Sequence, residues 1–414
     1  MTVHFPFVVI PDGDVATVQQ TKPFLLQTAI LASMNRDVDG SLRLEESIMR
    51  HLSEEVFFNS ARSLDLLQGL LVYIAWYHFR FFIGRKMTIM LQLAISIAAD
   101  LGLTRPPKAT DMIELQIKTG SSDAEEAKSR TLEERRAYMG CYYLSSIVEG
   151  GFHRRIDPMR STPHLDTCLR LQQFRARMAA SLGSDIPSLS LDYSQETGKS
   201  IKSLQADLAN LRRTAPLFGA PQAACNMHHL DLEIQLYEIA FTPSDPKEAS
   251  KSQRLAFLRN CLSSVKAVFG IWFSLQVSEF FDFSYPTQIH LGHAIIILCR
   301  LSTLNTPGWD LEETRAIIDF AGVIDDLQAS LERLKFQFGD ELSDRHIFVR
   351  TVKPLQMFKF LNSKGAVDGG ASAGEENGNS SFGDIAMDGM FDGFDMRSWD
   401  EMFPPDNSFD LGTM

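Results

Sequence analysis

The chain has 414 residues, 44% of them hydrophobic, so it can bury a large core in one to three domains. A formal net charge of −12 and a pI near 5.3 argue against extensive phosphate contacts by this chain alone. The most apolar window, Leu64 to Ile83, is broken by Asp65, Gln68, His78 and Arg80, which argues against a membrane span.

The first twenty residues contain Asp12, Asp14, Pro6 and Pro11 and lack a basic start followed by an apolar run. They do not read as a secretory signal. Residues 1–22 read as an N-terminal extension, partly disordered, ahead of a helical body over 23–362. Two apolar segments, Phe24 to Met34 and Ile48 to Phe58, flank N-R-D-V-D-G-S-L-R-L-E-E at Asn35 to Glu46. That stretch sets Asn35, Asp37, Asp39 and Glu46 at positions one, three, five and twelve of a calcium loop, with Gly40 at six. Against calcium, position one is an amide, position nine is Arg43 and no second loop exists to pair with it. The competing reading is a polar inter-helix turn in which Gly40 is left-handed. No other metal set is legible.

Farther on, Ser63 predicts an N-cap for a central helix from Leu64 to Phe82. The next helix, about Met87 to Leu101, keeps Thr88, Gln92, Ser96 and Asp100 as a narrow polar stripe. Gly102 then offers a left-handed stop, and Pro106-Pro107 prevents continuation. After a polar linker, Thr131 and Glu134 form a capping box for a helix running through Val148. Further helices are predicted at Asp166 to Ser181, Ser200 to Thr214, Cys225 to Phe241, Lys251 to Phe273, Thr287 to Leu304 and Leu311 to Phe338. Strand-like alternation is nearly absent, so the fold class is all-α.

Local motifs for chemistry are few. The chain has no Gly-rich phosphate loop, nucleophile elbow or dinucleotide fingerprint, so no catalytic or cofactor-binding residue is assigned. The five cysteines (Cys141, Cys168, Cys225, Cys261 and Cys299) are scattered and read as buried, reduced thiols. His290 and His293 have the i, i+3 spacing of a shared metal, but no acid or cysteine is close in sequence, so a packed pair is the plainer reading. His228 and His229, being adjacent, face different sides of their helix. Around His153 to Arg177 the balance is basic, with Arg154, Arg155 and Arg160 among six arginines. The plain reading is a solvated face; the functional ones are a phosphate contact or a dock for the acidic tail.

Most of the charge imbalance lies at the end of the chain. From Gly365 to Met414 there are eleven acids against one base, Arg397, with six aromatics and five methionines interspersed. Acidic-hydrophobic alternation in a Gly-rich segment marks a disordered activation segment. In a short induced helical turn, Phe391, Phe394, Trp399, Phe403 and Phe409 would enter a groove on a coactivator.

Three ordered pieces carry a resemblance: P-F-L-L-Q-T-A-I-L-A-S at Pro23 to Ser33, the run from Ser63 to Pro107, and T-L-E-E-R-R-A-Y-M-G-C-Y-Y-L-S-S at Thr131 to Ser146. S-T-P-H-L-D-T-C-L-R-L at Ser161 to Leu171 follows. Together they are similar to the middle regulatory domain of fungal zinc-cluster transcription factors. That resemblance implies an all-α regulatory domain, dimerisation, nuclear action, and often a C-terminal activation segment. It also implies an N-terminal six-cysteine zinc module, which this sequence lacks, since its first cysteine is Cys141. The expectation is therefore a nuclear transcriptional regulator, not an enzyme, with no cofactor in this chain. DNA would be reached weakly, or through a missing or partner zinc module. The alternatives are a non-DNA-binding partner of a full-length factor, or a helical small-molecule receptor or enzyme.

Overall fold

In the computed structural model the described residues are 4–11, 14–34, 37–76, 86–104, 130–148, 163–182, 195–214, 220–241, 248–276, 279–280, 282–338, 356 and 359. Among them every regular element is helical, and the chain is all-α. They fall into two compact units, divided near residue 160.

The first unit contains α1 (Val15–Thr21), α2 (Pro23–Ser33), α3 (Val38–Ser53), α4 (Leu64–Ala75), α5 (Met87–Asp100) and α6 (Leu132–Val148). Helix α4 is buried from Leu66 to Ala75, as its nearly all-round apolar sequence requires of a central helix. It starts where the Ser63 hydroxyl accepts from the Leu66 amide at 3.1 Å. Asp65, in its first turn, reaches across to cap α2 and accepts from the amides of Phe24 (3.0 Å) and Leu25 (2.9 Å). Two orphan donors of one helix are thus satisfied by a side chain of another. Burial raises the Asp65 pKa, although both amide bonds oppose the shift. The Thr131–Glu134 capping box forms in both directions, at 2.8 and 3.2 Å. Gly102 has φ of +72°, the left-handed stop its sequence position demands.

Two expectations need correction here. Phe5, Phe7 and Val8 are at most 3% exposed, so part of the supposed N-terminal extension is core. The Phe7 ring lies 4.8 Å from Tyr143, and Phe5 meets Trp76 edge-on at 6.1 Å. The calcium-loop segment is helical from Val38 onward. Asp37 accepts from the Gly40 amide at 2.8 Å as an N-cap, while Glu46 pairs with Arg50. Nine residues of helix separate Asp37 and Glu46 by about 13 Å along the axis, too far to close one coordination shell. Gly40 is helical and not left-handed, so the turn reading fails as well. Asn35 lies outside the described residues, as does the Asp39 side chain.

The second unit contains α7 (Pro163–Leu182), α8 (Gln195–Thr214), α9 (Ala220–Glu238), α10 (Glu248–Ser274), α11 (Tyr285–Thr303), α12 (Leu311–Ile317) and α13 (Phe320–Phe338). Helix α9 is central, packed against α7, α8, α10 and α11. It buries Met227, Leu230, Leu232, Ile234, Leu236 and Tyr237 on all sides. The single helix predicted over Leu311 to Phe338 is two. Ile318 is extended (φ −154°, ψ 119°), and Asp319 restarts the chain by accepting from the Gly322 amide at 2.7 Å.

Candidate functional site

The second unit encloses a column of polar side chains that its apolar sequence does not advertise. Helix α7 presents His164, Cys168, Gln172 and Arg175, spaced four, four and three residues apart and therefore on one face. Helix α9 answers with Cys225, His228, Asp231, Gln235 and Glu238, and α11 adds His290 and His293. Cys168 Sγ lies 3.8 Å from Cys225 Sγ, and His164 completes a trio whose ligand atoms all lie within 4.8 Å of one another. Next along the column, Gln172 Nε2 is 3.3 Å from His228 Nε2, and the His228 ring stacks on His290 at 4.9 Å.

Asp231, 3% exposed, is the pivot. Its Oδ1 lies 2.6 Å from His293 Nδ1, and its Oδ2 lies 2.9 Å from His290 Nδ1. The second approach is off the line of a straight hydrogen bond, so it is mainly electrostatic. Gln235 Nε2 donates to the same carboxylate at 2.7 Å. His293 Nε2 lies 3.3 Å from Glu238 Oε1, so both ring nitrogens face carboxylates. Burial disfavours a charged His293, but Glu238 and Asp231 outweigh it and hold the pKa up at about 10. Burial likewise opposes ionised Asp231, but the two histidines hold its carboxyl well below the usual range. His228 goes the other way: burial and neighbouring His290 push it well below 6.5, so it is neutral. His229 faces elsewhere, 3.0 Å from the Leu208 carbonyl, as its adjacency to His228 requires.

The bond from Cys168 lowers Cys225 to about 6, with a further hydrogen bond from His164, while the same contact raises Cys168 well above 9.0. All five cysteines are free and buried.

An Asp–His pair can orient a catalytic imidazole. Here both His293 nitrogens are engaged by carboxylates, leaving neither for a reacting group. The trio His164, Cys168 and Cys225, by contrast, has donor atoms suited to a borderline-soft cation.

Sequence spacing had marked His290 and His293, but their acidic partner sits about sixty residues earlier, on another helix. The polar positions at three- and four-residue intervals in α7 and α9 were the signal that could have found it. Arg154, Arg155 and Arg160 lie outside the described residues, as do Phe391, Phe394, Trp399, Phe403 and Phe409. Among the described residues no helix is long and apolar enough to cross a membrane.

Comparison with known proteins shows what this chain is similar to. Over 366 residues, 82% of the chain, it is 28% identical to transcription factor opdL of Penicillium oxalicum. The chain is thus similar to a protein that is named a transcription factor. It is also 27% identical over 327 residues to transcription factor himD of Aspergillus japonicus, and 23% identical over 350 residues to a transcription factor of Aspergillus terreus. These alignments cover 64%, 53% and 54% of the relatives, so the chain spans between about half and two thirds of their length. Residues 277–399 match the family model ATEG07667_C, described as a C-terminal domain. No solved structure matches.

Proposed function

We propose that this chain is the regulatory and activating portion of a fungal pathway-type transcription factor that acts in the nucleus and is not an enzyme. The observation that carries the reading is the alignment with opdL over 82% of the chain. The two helical units form the regulatory body and carry dimerisation. Reading of DNA is assigned to a zinc module, in the same protein or a partner, because a chain of net charge −12 is poorly suited to phosphate contact. The acidic-aromatic segment recruits coactivators: its acids keep Phe391, Phe394, Trp399 and Phe403 hydrated until a partner groove takes them.

A reporter assay tests this. Residues 365–414 joined to a heterologous DNA-binding module should activate transcription, and Phe391→Ala, Phe394→Ala, Trp399→Ala and Phe403→Ala together should abolish activation. A silent wild-type fusion would refute the recruiting role.

A further inference from the structure

We infer that His164, Cys168 and Cys225 form a zinc site that joins α7 to α9, separate from the six-cysteine module that the family resemblance implies. The inference stands on geometry and is independent of the transcriptional reading. In a tetrahedral site with zinc–sulfur bonds of about 2.3 Å, two thiolate ligands lie about 3.8 Å apart. That is the spacing between Cys168 Sγ and Cys225 Sγ. A disulfide needs its sulfurs at about 2.05 Å, so oxidation would require the helices to close by well over 1 Å, whereas zinc fits between them as they stand.

The third ligand has the correct reach and chemistry. His164 and Cys168 are one helical turn apart on α7, so both point toward Cys225 on the facing helix. Imidazole and thiolate together select zinc over the hard cations. Among the described residues no fourth His, Cys, Asp or Glu joins the trio. Two cysteines, one histidine and an exchangeable fourth position is a ligand set that zinc accepts, with water or an added thiolate in the last place.

Zinc held here ties the first turn of α7 to the centre of the second unit. Because the ion binds the folded arrangement, its presence raises the unfolding temperature of the unit.

The test uses the full 414-residue chain, purified reduced and freed of metal. After loading with zinc and removal of free ion, elemental analysis should find one zinc per chain. Cobalt(II) in its place should give strong thiolate-to-metal charge-transfer absorption and the visible bands of a tetrahedral ion. Cys168→Ser, Cys225→Ser and His164→Ala should each weaken zinc binding by more than about 100-fold. Cys141→Ser and Cys261→Ser should leave it unchanged, and circular dichroism checks that each variant folds. A wild-type cobalt spectrum without the thiolate band overturns the site whether or not the variants fold. Undiminished zinc affinity in a folded Cys168→Ser/Cys225→Ser double variant overturns it as well.

Discussion

Asp231 has two imidazole neighbours and almost no water, and this sets how the second unit responds to pH. A histidine whose folded pKa is raised contributes its full stability below the unfolded value near 6.5 and loses it as pH climbs toward about 10. The lowered pKa of Asp231 contributes above about 3.8 and is lost only on strong acidification. His228 and His229 have lowered values and oppose folding as pH drops below 6.5, because only the unfolded chain readily protonates them. Asp231 and Glu238 are charged neighbours of His293, and His290 shares the Asp231 carboxylate with it. Wild-type urea midpoints should therefore fall between pH 7 and pH 10, and a His293→Gln variant should be less stable at pH 7 and fall less steeply, its remaining slope coming from buried thiols such as Cys141 and Cys261, which the unfolded chain ionises more readily. Asp231→Asn leaves a buried imidazolium half paired and should cost about 3–5 kcal/mol at pH 7 in the same measurement. An equal pH slope in wild type and His293→Gln would refute the assignment. None of this pairing was readable from residue order. The His290–His293 spacing was visible, but a partner on another helix becomes apparent only when α9 and α11 meet.

At the level of the helix, caps were what the sequence expressed most clearly. Ser63, the Thr131–Glu134 box and Gly102 act where their residue types predict, because each interaction is local, spanning no more than five residues. Asp319 went unread, since its capping role is masked by a long apolar-periodic run that looks continuous from Leu311 to Phe338. Its carboxylate meets the Gly322 amide at 2.7 Å. Asp319→Ala should lower stability by about 1 kcal/mol in denaturant unfolding, with Asp319→Asn retaining most of it. No loss with alanine would mean that the break at Ile318 is held by packing alone. The calcium-like segment failed for a related reason. Its short acids suit helix starts as well as ion shells, and Asp37 serves the former use.

For the molecule as a whole, the all-α class followed from periodicity, but the limits of its parts did not. Residues 1–22 look like a loose extension because two prolines and two aspartates interrupt any pattern. Yet Phe5 and Phe7 enter the first unit, where Trp76 and Tyr143 receive them. Phe7→Ala should cost about 3–5 kcal/mol and lower the melting temperature seen by calorimetry. A change below 1 kcal/mol would return the segment to the periphery.

The Asp231 contacts also bear on how α11 is oriented. From Ala294 to Cys299 every residue of that helix is buried. A rod oiled on every side can spin about its long axis and still satisfy the hydrophobic effect, so grease alone leaves its angle undetermined. Swinging it by one residue, a turn of about 100°, would drag both imidazoles off the Asp231 carboxylate that they share. The carboxylate thus works as a key in a keyway, choosing one rotational setting among many oily ones.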